Sequence, residues 1–89
     1  MNQAFEQYLI KQGYSQYTKS GHPSTVYDYQ KRVLKVCEYE HTDLPGLASM
    51  IDSIVVEYDV GGKKEELGHK SHNAIINALR AFRGFVHSN

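Results

Sequence analysis

The side chains in this sequence that can do chemistry are few and widely spaced. Five histidines stand at His22, His41, His69, His72 and His87. Only His69 and His72 are close enough in sequence to share a metal. No cysteine or carboxylate at a zinc-like spacing completes a ligand set around them, so neither metal nor cofactor is expected. Serines are plentiful, yet none sits in a nucleophile motif, and the paired Glu65 and Glu66 fall in a polar, turn-rich stretch. Gly61 and Gly62 precede two lysines, but the GxxxxGK[ST] pattern is missing and no apolar strand leads into them, which argues against a nucleotide loop. The single Cys37 shares helical spacing with Val33 and Val36 and reads as a buried structural thiol. Catalysis by this chain is therefore not expected, and the informative chemistry is its charge.

The formal net charge over 89 residues is zero, but its distribution is uneven. Residues 1–37 carry five Lys or Arg against Glu6 and Asp28, a net +3. Residues 38–66 carry eight acids against Lys63 and Lys64, a net −6, and residues 67–89 return to +3 through Lys70, Arg80 and Arg83 with no acid at all. If the first and last thirds meet in the fold, they make one basic surface that the zero sum conceals.

The elements that must position these charges are helical. Residues 2–12 read as a short first helix with Phe5, Tyr8 and Leu9 on one side, and Gly13 is placed to end it in a left-handed conformation. Residues 14–23 are a polar loop punctuated by Gly21 and Pro23. A second helix over residues 25–40, with Ser24 as N-cap, repeats Val26, Tyr29, Val33, Val36 and Cys37 at steps of three and four. Lys31, Arg32 and Lys35 fall on its outer side, near Tyr27. Asp43 caps and Pro45 opens a third helix whose stripe is Leu47, Ile51, Ile54, Val55 and Tyr58; Ile54 to Val56 has no partner strand and is read as helical. A loop over residues 59–70 has room for one short turn at 63–67. The last helix carries Ile75, Ile76, Leu79, Phe82, Phe85 and Val86 on one face. Ser71 is its expected N-cap, where free backbone amides, Ser71 and Lys70 together suit a phosphate. The fold class expected is all-α: one domain over residues 1–89, a compact bundle of four main helices with a short fifth.

Three segments, Y-L-I-K-x-G-Y-S-x-x-T from Tyr8, S-T-V-Y-D-Y-x-x-x-V-L-x-V from Ser24 and S-H-N-A-I-I-N-A-L-R-A-F-R-G-F-V from Ser71, together resemble the N-terminal SAM-like, or core-binding, domain of tyrosine recombinases, the phage-integrase family. The similarity spans residues 4–86. It implies a SAM-like helical bundle that clamps one side of duplex DNA, the catalytic residues being on a separate domain. By that resemblance Ser71, His72, Asn73 and Asn77 begin the DNA-facing last helix and Arg80 fills its Leu-Arg position, while Ser24, Thr25, Lys31 and Lys35 belong to a helix that starts at the DNA side. The family's S-x-x-T lead-in stands at Ser15 to Thr18, with six residues between it and Thr25, which leaves two alignments of that segment open. No recombinase catalytic set follows, so the seven tyrosines are not read as nucleophiles.

The function expected is thus a non-catalytic DNA-binding module of a phage or other mobile element. Lys31, Lys35, Lys70, Arg80 and Arg83 would neutralise duplex phosphates, with His72, Asn73 and Asn77 in reach of base edges. The alternative is a small protein-binding module, an inhibitor or adaptor, that docks its acidic middle through Asp52, Glu57 and Asp59 on a basic partner. A second copy of the chain could also cover the apolar stripe of the last helix. With no apolar leader, no membrane-length apolar run and one cysteine, a soluble cytoplasmic protein is expected.

Overall fold

A computed structural model describes residues 3–14 and 25–88, apart from the side chain of Ser71; Ser24 and the Ser15 to Thr18 lead-in lie outside the described residues. The described residues form six helices: α1 (Gln3–Lys11), α2 (Thr25–Tyr39), α3 (Leu44–Ser49), α4 (Ile51–Tyr58), α5 (Glu65–Gly68) and α6 (Lys70–His87). Four of these have eight residues or more, and the bundle is all-α as its periodicity demands.

The organising element is α6, which packs against every other helix. Its Ile75, Ile76, Ala78, Leu79 and Phe82 are buried, and they meet Phe5 and Leu9 of α1, Val33 and Val36 of α2, Leu47 of α3, and Ile54 and Tyr58 of α4 in one continuous core. Phe5 and Phe82 pack edge to face with centroids 5.2 Å apart, and Phe85 closes the same corner 5.4 Å from Phe5. Aromatic pairs of this geometry contribute beyond their buried area, which is how a nine-residue α1 is held on the bundle. The stripe that a second copy could have covered is largely covered within the chain.

Two helices end in the same way. After α1 the amide of Gly13 donates to Ile10 O and that of Tyr14 to Leu9 O, at 3.0 and 3.1 Å, with Gly13 at φ +93°. After α2 the amide of His41 donates to Glu38 O and that of Thr42 to Cys37 O, at 3.2 and 2.9 Å, with His41 at φ +53°. Both are paired 5→2 and 6→1 closures that satisfy the last carbonyls. Glycine takes the left-handed turn freely; His41 does so at a steric cost.

The expected third helix is two helices. Asp43 caps α3 as foreseen, its carboxylate accepting from the Gly46 amide at 2.9 Å. The break at Met50 arises from a competition for one carbonyl. Ser49 Oγ donates to Gly46 O at 2.7 Å. An uninterrupted helix would give that acceptor to the Met50 amide, which instead bonds Leu47 O at 3.0 Å. In α4, Ile54 and Val55 are buried and Val56 is 68% exposed, the pattern of a helix rather than a strand.

The chain then turns back tightly. Gly61 takes φ +84°, and α5 brings Gly68 so close to the end of α4 that a Cβ there would stand 1.8 Å from Tyr58 O. Beside this approach Tyr58, fully buried, donates its hydroxyl to Glu40 Oε2 at 2.7 Å. Lys64 donates to the same oxygen and lies 3.7 Å from Glu57 Oε1. Burial alone would raise the Glu40 pKa, but the hydrogen bonds from Lys64 and Tyr58 bring it below the ordinary carboxylate value. This group ties the end of α2 to the end of α4. Among the described residues no helix is long and apolar enough to cross a membrane.

Candidate nucleic-acid interface

The outer face of α2 and the start of α6 form an open groove of about 640 Å³. Two stripes of α2 build one wall. Tyr27, Lys31, Leu34 and Glu38 follow one another at steps of three and four, and Arg32, Lys35 and Tyr39 run beside them. Lys70 and Ile75 supply the other side. The basic first and last thirds therefore do meet, but through a single cation of α6, Lys70.

The four cations of the groove face one acid, Glu38, among its lining residues. Lys35 approaches Glu38 at 3.3 Å, but both side chains are more than half exposed, so the pair holds Lys35 only weakly. Its ammonium also stands 5.7 Å from the centre of the Tyr39 ring. Arg32 is half-buried, and its Nε is shielded from solvent with no hydrogen-bond partner.

The rest of α6 behaves differently. Arg80 does not join the groove, because its guanidinium is bound to Asp59 Oδ2 at 2.7 Å. That hydrogen bond first, and the Val60 amide next, hold the Asp59 carboxyl at about 2. The other Asp59 oxygen lies 3.2 Å from the His69 ring, whose second nitrogen is 2.6 Å from Asn73 Oδ1. His87 is 2.8 Å from Asp52 Oδ1. The acidic segment folds against the basic last helix, Asp59 on Arg80 and Asp52 beside His87. Asp52, Glu57 and Asp59 each have a partner within the chain, Asp59 in the closest contact and Asp52 in an exposed pair with His87.

The expected phosphate seat at the start of α6 is also altered. The N-cap is His69, which makes no side-chain cap bond, so Ser71 falls inside the first turn. α5 runs into α6 with only His69 between them, which leaves no room for a cap at Ser71. His72 and Asn73 take φ +59° and +66°, and two left-handed residues in succession break the row of aligned amides that a phosphate needs. With the Asp59 carboxylate beside it, this end of α6 already holds an anion.

Of the residues singled out in the sequence, then, Lys31, Lys35 and Lys70 converge. Thr25 is half-buried at the first position of α2, while His72, Asn73 and Asn77 are exposed on α6 and Arg83 is half-buried there, none of them lining the groove. Tyr27 and Arg32 belong to the groove and were legible as neighbours on the outer side of α2; Tyr39, Leu34 and Ile75 carried no signal distinguishing them from ordinary core and surface positions. The Cys37 thiol is buried, and that burial, followed by the Asp43 charge, raises its pKa, the environment of an inert thiol. Compared with protein-family models, curated proteins and solved structures, the chain matches none.

Proposed function

We propose that the chain is a non-catalytic DNA-binding module that holds phosphates along the α2–α6 groove. The observation that carries this reading is the convergence of Lys31, Arg32, Lys35 and Lys70, from two segments some forty residues apart, with Glu38 as the one opposing carboxylate. The resemblance of the sequence to integrase core-binding domains points the same way, and it narrows the role to a clamp on one side of duplex DNA that leaves chemistry to another domain. Arg80, committed to Asp59, has no part in it. Four neutralised phosphates give a log affinity that falls against log salt with a slope of about −3.5. Titration of a short duplex at two salt concentrations tests the reading, and absence of binding at low salt removes it.

A protein-docking role has one observation in its favour, the exposure of Val56 and Val60 at 68% and 72% beside the acidic segment. Val56→Ser with Val60→Ser would abolish such a contact.

A further inference from the structure

Phosphate neutralisation leaves half of the groove unexplained. A surface that only follows the backbone of a duplex needs raised cations and little else. Here the cations share the groove with apolar and aromatic side chains: Tyr27 is 45% exposed, Leu34 is 37% exposed, and Tyr39 and Ile75 complete the lining. The Tyr27 ring has no aromatic or cationic partner among the described residues, in contrast to Tyr14 and Tyr29, which pair with centroids 5.2 Å apart. A volume of about 640 Å³ is that of a ligand pocket rather than of a flat contact.

Resting on the reading above, we infer that the groove takes unpaired nucleotides, their phosphates on Lys31, Arg32 and Lys70 and a base stacked on Tyr27. Aromatic platforms alternating with cations are what a single strand needs, because every base offers a flat face and every link a negative charge. Arg32 lines the groove beside Lys31, and Lys31 lies one helical turn from Tyr27, the offset between a base and its neighbouring phosphate along the groove. From Tyr27 to Tyr39, α2 rises about 18 Å, so the aromatic positions span more than one nucleotide. Glu38 repels phosphate near one end and biases the strand toward the Lys31, Arg32 and Lys70 end.

The test compares a blunt duplex with the same duplex carrying an unpaired tail of about six nucleotides, within the site sizes such grooves show. The tailed DNA should bind about tenfold more tightly. Tyr27→Ala should erase that difference, and Tyr27→Phe should retain it; the unaltered melting temperature of both variants confirms that an exposed side chain was changed in a folded protein. Equal affinity for tailed and blunt DNA overturns the inference and leaves the duplex reading standing. A tail preference that survives Tyr27→Ala also overturns it. Failure of both DNAs to bind at low salt overturns both readings.

Discussion

Tyr58→Phe isolates the hydrogen bond that fixes α2, and with it one wall of the groove. The ring of Tyr58 is fully buried, so phenylalanine fills the same space and leaves no cavity; only the donor to Glu40 Oε2 is lost. A hydrogen bond to a charged acceptor contributes about 1.5–3 kcal/mol, so that loss is expected at pH 7, equivalent to a fall in Tm on the order of 10 °C for a chain of this length. The loss should depend on pH in both directions. The Glu40 pKa lies below its ordinary value, so its contribution is complete above about 4.3 and disappears as pH falls through the lower folded value. The Tyr58 hydroxyl is raised, by burial first and the Glu40 contact second, and Lys64 is raised by its hydrogen bond to Glu40. Their contributions are complete below about 10 and are lost as pH rises beyond it. The gap between wild type and Tyr58→Phe should thus be widest between about pH 5 and 10 and close on either side. Urea titration across that range, with m unchanged, measures it. A gap below about 0.5 kcal/mol at pH 7, or one that widens above pH 10, would refute the role given to this group.

Further predictions follow from single contacts. His41→Gly relieves a left-handed φ without disturbing the two closing hydrogen bonds of α2 and should stabilise the fold by about 0.5–1 kcal/mol in the same assay. Gly68→Ala, whose Cβ would meet Tyr58 O at 1.8 Å, should cost about 3 kcal/mol or more, read as a large fall in the thermal melt; a melt within a few degrees of wild type would show that the two helix ends can separate freely. The Asp59 carboxyl, held at about 2 by Arg80, stabilises the folded chain above its unfolded value near 3.9 and loses that effect as pH falls toward 2. Asp59→Asn should remove this part of the acid unfolding profile.

The helices were legible because their determinants are local. The step of three and four residues through Val26, Tyr29, Val33 and Val36 fixes α2 to within a residue, and Gly13 marks the end of α1 because no other residue type takes that turn so readily. The division at Met50 was not legible. It depends on one serine hydroxyl capturing one carbonyl, a competition that leaves the apolar periodicity from Leu47 to Tyr58 unchanged. The uneven charge along the chain singled out α2 and α6, yet their relative rotation decides which α6 cation faces α2. That rotation turns Lys70 to the groove and Arg80 toward Asp59, a partner 21 residues earlier, and nothing in the local pattern around either residue specifies it.

On the proposed function, nucleic acid is held by the α2–α6 groove and not by the outer face of α6. The most direct measurement is the salt dependence of duplex binding for Lys31→Gln with Lys70→Gln, set against Arg80→Gln. Each groove lysine removed should reduce the salt slope by about one, so the double variant should lose about two. Arg80→Gln, which removes only a cation already bound to Asp59, should bind as wild type does. A double variant with the wild-type slope, or an Arg80→Gln protein weakened as much as the double variant, would place the contact elsewhere and contradict the groove.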